Sequence, residues 1–347
     1  MKRKYIAELV CVAATLLFSA DRPAVAEPIG ISYQPALYWS LPFFIATEKG
    51  WWKEVGLEPT FTSFPSGAPQ VAAVAAKSWD VGGMGSAPAV LGAVRVKLLT
   101  IGIVNDQSAI NALMARANEA DAIVKNPQSL KGKQLLLTTN STGEYAALSC
   151  LKKWGLKPTD MQIVNLGQAD VIAAISGGNG ALAGLWAPNM FTLEKKTGAK
   201  ILCTGKEGGV GIPTALVARA DFADEHPKQV AAFLAVILHA LNWQRDNKAE
   251  SFQIMKRWYK QGGVELDDRF LQQEIDIEPS YFLEDQLQAF DRSKGPSKMD
   301  QWFAGLSAYL QSTGTVKEAP NSQSYISDKF LKLVKDDPKL RKFALGQ

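Results

Sequence analysis

W-D-V-G-G-M-G-S-A-P, residues Trp79 to Pro88, runs from a short apolar stretch through three glycines into Ser86, Ala87 and Pro88. The run predicts a strand that delivers the N-terminus of a helix. Glycine lets a backbone approach a neighbour or a bound group closely, Ser86 is suited to cap the helix, and Pro88 fits a first turn that needs no amide donor. Free amides and the positive end of the helix dipole at such a turn favour an oxyanion. A capped turn with no ligand would read the same way, so the flanking sequence decides.

Upstream, Ile29 to Tyr33 alternates and predicts a strand; Ser40-Leu41-Pro42 opens a helix, with Ser40 as its cap, that Gly50 closes before Trp51 and Trp52. Leu57 to Phe64 predicts a second strand, followed by Pro65-Ser66-Gly67-Ala68 and an alanine-rich helix from Pro69 to Lys77. Val81 to Met84 is the third strand and Pro88 to Val94 the third helix. Strands alternating with helices predict parallel βαβ units, whose ligands gather at the carboxyl ends of the strands. Those ends, Tyr33-Gln34, Ser66-Gly67 and Gly85-Ser86, are polar or glycine-rich.

The same logic is written again after Ile110 to Met114. Lys133 to Thr138, Met161 to Leu166, Ala181 to Leu185, Lys200 to Cys203 and Thr214 to Val217 read as strands. Helices are predicted at Tyr145 to Trp154, entered through Ser141-Thr142 and stopped by Gly155, and at Ala169 to Ile175. The expected organisation is therefore a first lobe beginning at residues 27–110, a second lobe at 111–217, and residues 218–347 returning to the first lobe. That last part is expected to be helical, with amphipathic stretches at Pro227 to Arg245, Lys248 to Tyr259, Asp267 to Ile275 and Lys298 to Leu310. A hinge is expected near Ile110 to Met114 and Thr214 to Val217.

The basic start Met1-Lys2-Arg3-Lys4, the apolar Tyr5 to Ala20 and the small residues Ala24 and Ala26 predict an export signal over residues 1–26, cleaved after Ala26. The whole chain holds 38 basic and 34 acidic residues. The leader carries Lys2, Arg3, Lys4 and Arg22 against Glu8 and Asp21, so the remainder is nearly neutral. That balance, with no basic stripe, gives no footing for nucleic acid or a membrane surface. Cys150 is expected in a helix and Cys203 in a strand, so the reading is two buried thiols rather than a disulfide. His226 and His239 have no ligand-spaced partners, and neither a metal nor a cofactor is expected.

Lys131-Gly132-Lys133 lacks the Walker pattern, and the glycines of Gly205 to Gly211 lead into a strand rather than a helix, which fails the dinucleotide fingerprint. No G-x-S-x-G elbow is present and histidines are too few for a triad, so catalysis is not expected. What remains is a pair of hydroxyl-bearing helix entrances, at Ser86 and at Ser141-Thr142. Trp186-Ala187-Pro188-Asn189 adds a large aromatic and an amide donor at a strand end, and Trp39 is a further aromatic wall.

At these residues the chain resembles the substrate-binding proteins of taurine, aliphatic sulfonate and nitrate ABC importers. The resemblance is carried, in order, by Gly30-Ile31-Ser32-Tyr33-Gln34, Phe64-Pro65-Ser66-Gly67, Asp80-Val81-Gly82 with Gly85-Ser86-Ala87-Pro88, Leu130-Lys131-Gly132-Lys133, Ser141-Thr142-Gly143-Glu144-Tyr145, Trp154-Gly155-Leu156-Lys157-Pro158, Trp186-Ala187-Pro188, and Asp221-Phe222-Ala223 with His226-Pro227. It implies an α/β type II periplasmic binding protein fold, two lobes closing on a ligand in the cleft, and a small anionic organic ligand handed to an ABC transporter permease by a periplasmic monomer. Carried residue by residue, it implies ligand contact at Tyr33, Gln34, Ser66, Gly67, Gly85, Ser86, Ser141, Thr142 and Trp186; Trp39 and Asn189 join them on their own chemistry. Taurine binders, as the resemblance implies, place an acidic residue after Ala-Pro-Thr to meet the ligand's ammonium. Here Pro213-Thr214 is followed by Ala215, Leu216, Val217 and Ala218, which speaks against taurine. Glu144 in a first turn suits the helix dipole, the alternative being a partner for a ligand amine. Two other readings share the fold: the ligand-binding partner of a sensor, and a pyrimidine-precursor synthase, which would carry a cysteine cluster.

Overall fold

The computed structural model describes residues 26–347, so the expected leader lies outside the described residues apart from Ala26. The chain first lays down β1 (Glu27–Tyr33), α1 (Leu41–Lys49), α2 (Trp51–Glu54), β2 (Leu57–Ser63), α3 (Gly67–Ala73), β3 (Val81–Gly85), α4 (Ser86–Val96) and β4 (Leu98–Asp106). It continues through β5 (Asn111–Ala115), α5 (Ala117–Lys125), β6 (Gln134–Leu137), α6 (Thr142–Lys153), β7 (Gln162–Asn165), α7 (Gln168–Ser176), β8 (Leu182–Trp186), α8 (Asn189–Thr197) and β9 (Lys200–Thr204). After β10 (Pro213–Arg219) come only helices: α9 (Ala220–Glu225), α10 (Pro227–Asp246), α11 (Lys248–Gln261), α12 (Asp268–Ile277), α13 (Leu283–Phe290), α14 (Lys298–Ser312), α15 (Lys329–Asp336) and α16 (Pro338–Ala344), apart from short 3-10 turns.

Two five-stranded sheets result, ordered β2-β1-β3-β10-β4 and β7-β6-β8-β5-β9. The βαβ units are parallel as read, with β1 between β2 and β3 and β6 between β7 and β8. The sheets are nonetheless mixed, because β10 runs antiparallel to β3 and β4, and β5 antiparallel to β8 and β9. The cause is the crossing. Helix-connected strands end at the cleft edge of their sheet, and a strand that enters a sheet from that edge must run against them. Thus β10, which the sequence reading gave to the second lobe, is an inner strand of the first sheet, and the second sheet's last strand is β9.

The glycines of the opening stretch make room inside the first lobe. A Cβ on Gly83 would lie 2.4 Å from the Trp39 ring, and one on Gly82 would lie 2.3 Å from the Ser32 carbonyl oxygen. β3 can therefore sit flush against β1 with Trp39 packed over it. Helix starts differ slightly from expectation. Gly85 caps α4 and Ser86 is its first residue, while the Ser40 hydroxyl donates to the Leu37 carbonyl instead of capping α1.

The C-terminal helices pack on the first lobe: α10 lies along α1, α15 and α16 cover α10, and α14 lies on α4. α10 buries Phe233, Leu234, Val236 and Ile237 completely, which fits a helix covered on nearly every side. Among the described residues no helix is long and apolar enough to cross a membrane.

The cysteine expectation is corrected. Cys150 on α6 and Cys203 on β9 form a disulfide, their Cα atoms 6.0 Å apart. Residues that are far apart in sequence face one another because α6 packs across β9.

Candidate functional site

Between the lobes lie two adjoining chambers. The inner one, about 30 Å³, is lined from the first lobe by Gln34, Leu37, Trp39, Ser66, Gly67, Ala68, Gly85 and Pro88, and from the second by Thr138, Thr139, Asn140, Ser141, Thr142 and Trp186, with Gln107 on the crossover. The outer one, about 380 Å³, shares Gln34, Leu37, Ser66, Thr138 and Trp186 and adds Gln168 and Asn189. By that measure the inner chamber holds about two waters, the scale of an oxyanion group.

Gln34, Trp39, Ser66, Gly67, Gly85, Ser141, Thr142 and Trp186 thus come together as expected from the sequence, with Asn189 at the outer chamber. Two candidates do not. Tyr33 points the other way along its strand, its ring packed against Phe43, Phe61 and Trp258 with centroids 5.7–5.9 Å away. Successive strand residues face opposite sides of a sheet, so Gln34 takes the cleft and Tyr33 the core. Ser86 lines neither chamber, and its buried hydroxyl has no hydrogen-bond partner. Gln107, Thr138, Thr139, Asn140 and Gln168 went unread, although the polar run leading into Ser141 was the signal for three of them.

The lining is held by a second set of polar groups. The Gln34 amide donates to Gln70 Oε1 at 3.2 Å, and the buried Gln70 amide in turn donates to Ser32 Oγ at 2.8 Å and the Gly83 carbonyl at 2.9 Å. Gln168 donates to Thr138 Oγ1 at 3.2 Å and accepts from the Trp186 amide at 3.3 Å. Ser141 caps α6, its Oγ accepting from Glu144 N at 3.2 Å while donating to the Thr138 carbonyl at 2.6 Å. Glu144 turns back along its own helix, where Oε2 accepts the Asn140 amide at 2.7 Å. Burial pushes its carboxyl up, opposed by the nearby Tyr309 hydroxyl and the Asn140 amide. That hydroxyl lies beside the carboxylate outside hydrogen-bond geometry. The local arrangement is the dipole reading of Glu144, and the side chain does not line either chamber.

Neither chamber is lined by any Asp, Glu, Lys, Arg or His. Its polar surface is hydroxyl, amide and backbone, between the N-termini of α4 and α6. Among the described residues no three His, Cys, Asp or Glu side chains gather as a metal-ligand set. Chemically, such a lining can bind and orient, but it presents no ionisable acid or base side chain.

A family model described as NMT1/THI5 like matches residues 39–251. The chain belongs to the NMT1/THI5-like family. Within the curated relatives it is 35% identical to the taurine-binding periplasmic protein of Escherichia coli over 52% of this chain and 56% of that protein. The crystal structure of the periplasmic aliphatic sulphonate-binding protein of Escherichia coli superposes with a TM-score of 0.69 at 18% identity, covering 88% of this chain and 99% of that one. The alkanesulfonate-binding protein of Xanthomonas axonopodis pv. citri, bound to MOPS, gives 0.70 at 19% identity, covering 89% and 99%. The fold of this NMT1/THI5-like protein is accordingly the two-lobed type II periplasmic binding fold.

Proposed function

We propose that this protein is an exported solute-binding protein that captures a small organic anion in the interlobe cleft and delivers it to the permease of an ABC importer. The observation that carries this reading is the lining: neutral donors and two apposed helix N-termini, without one charged side chain in either chamber. An anion can be stabilised by oriented amides and hydroxyls at helix starts without a buried counter-charge, and closure strengthens those bonds by excluding water. The related proteins named for sulfonates and taurine support the same class.

In this reading the inner chamber seats the sulfonate or carboxylate against Ser66, Gln107, Ser141, Thr142 and the α4 start, with Gln34 beside them. Trp39 and Trp186 wall the organic body, which extends toward Asn189. Gly67 and Gly85 admit the close approach. An ammonium end would meet no carboxylate there, since Glu144 is committed to Asn140. The ligand is therefore an anion without a cationic end, sulfonate-like before taurine-like. Residues 1–26 serve as the leader, and the lobes close about the crossovers at 107–110 and 205–212.

The test is a thermal-shift screen followed by titration calorimetry with ethanesulfonate, benzenesulfonate, benzoate, nitrate, taurine and uracil. A ligand at about one hundred times its Kd stabilises the folded state by about 2.7 kcal/mol. The reading expects a sulfonate or carboxylate to raise the melting temperature and taurine to lag ethanesulfonate. Equal binding of taurine, or a response to uracil alone, would overturn it.

A further inference from the structure

The turn that supplies most of the second lobe's share of the inner chamber, Thr138 to Thr142, does not stand by itself. Asn140 within it has a left-handed backbone, φ 58°. That conformation is uncommon for a residue with a Cβ and persists where the surroundings hold it. Two groups hold Asn140 here. Glu144 accepts its amide from within α6, and Thr315, from beyond the end of α14, donates its hydroxyl to Asn140 Oδ1 at 3.1 Å. One turn away the Tyr309 ring lies on Tyr145, with centroids 4.9 Å apart. Trp302 of the same helix covers the returning crossover so closely that a Cβ on Gly211 would fall 2.0 Å from its indole nitrogen.

α14 packs on α4 of the first lobe, whereas Asn140, Glu144 and Tyr145 belong to the second. The Thr315–Asn140 bond and the Tyr309–Tyr145 contact therefore span the lobes, and they end on the segment that lines the chamber. We propose that the C-terminal segment Tyr309 to Thr315 is a clasp that already holds the Asn140-Ser141-Thr142 turn in position for the ligand in the ligand-free protein, with Thr315 as its positioning residue. The proposal rests on the anion-binding reading of the cleft. It gives this part of the helical extension a role in ligand capture, although no residue from Tyr309 to Thr315 lines either chamber.

Thr315→Val removes the hydroxyl while keeping the side-chain shape, and Thr315→Ser keeps the hydroxyl. Hydrogen exchange of the ligand-free, full-length protein should speed up at amides 139–144 in Thr315→Val, with β8 unchanged, and return in Thr315→Ser. Ethanesulfonate affinity by calorimetry should fall about fivefold in Thr315→Val, the worth of one hydrogen bond, and recover in Thr315→Ser. Unchanged exchange overturns the clasp, and altered exchange with unchanged affinity overturns its positioning role. If the unsubstituted protein binds no sulfonate or carboxylate, the anion reading fails instead, and the exchange comparison still decides whether the clasp exists.

Discussion

Gly85, the cap of α4 in the first lobe, and Thr142, the first residue of α6 in the second, face each other so closely that a Cβ on Gly85 would lie 2.9 Å from Thr142 Cγ2. The two helix N-termini thus meet at one point of the cleft, and the absence of a side chain on residue 85 is what permits it.

Gly85→Ala tests that contact cleanly. Gly85 has φ −62°, which alanine adopts without strain, so the substitution acts through the added methyl and not through the backbone. Overpacking of this kind costs about 1–3 kcal/mol, to be paid only when the lobes close. Ligand affinity should therefore fall by about tenfold or more while the ligand-free melting temperature holds. Calorimetry and circular dichroism on the same preparation decide it; an unchanged Kd would show that the lobes do not meet here in the bound state.

Ser86 carries the opposite expectation. Its hydroxyl is sealed from solvent and unpartnered, a condition that costs about 1–3 kcal/mol. Ser86→Ala should raise the ligand-free stability, measured by urea denaturation, because the orphaned group is removed. If Ser86 also serves the ligand, affinity drops in the same variant. A destabilised Ser86→Ala protein would mean that the hydroxyl has a partner in solution.

Much of this geometry was legible in the sequence where it depends on local chemistry. Glycine spacing, proline and hydroxyl residues announced the starts of α4 and α6, and the alternation of β1 announced its strand. What failed was direction. Tyr33 and Gln34 are adjacent, and only the completed sheet shows that the tyrosine enters the core while the glutamine enters the cleft. β10 reads locally as a strand, but its neighbours β3 and β4 lie more than a hundred residues earlier in the chain, and no local pattern encodes that pairing. The disulfide was missed for the same reason.

That bridge closes a loop with a sequence separation of 53 residues within the second lobe. The chain-entropy estimate for a loop of that size is about 4 kcal/mol. Replacing both Cys150 and Cys203 by alanine should lower the urea midpoint substantially, yet leave ligand binding close to normal, because neither residue lines the cleft. Reduction of the unsubstituted protein should reproduce the shift. Equal midpoints for oxidised and reduced protein would argue that the thiols stay free.

Glu274 and Glu278 predict a loss of stability in alkali. They sit one turn apart at the end of α12, both buried. The Tyr259 hydroxyl donates to Glu274 Oε1 at 2.8 Å and the Asn105 amide donates to Glu278, while Glu274 Oε2 and Glu278 Oε1 have no partner. Burial pushes Glu274 up to about 8 and Glu278 well above its ordinary value, with the neighbouring carboxylate adding to the second shift. The folded protein keeps protons that the unfolded chain releases near 4.5, so its stability falls as pH rises from there through about 8. Between pH 6 and pH 9 the unsubstituted protein should lose at least about 1 kcal/mol, and Glu274→Gln, which cannot ionise, should lose less. Urea denaturation at the two pH values gives the comparison. Equal slopes for the two proteins would mean that another group governs the alkaline limb, since the Tyr259 and Asn105 donors alone would then suffice to keep both carboxylates charged.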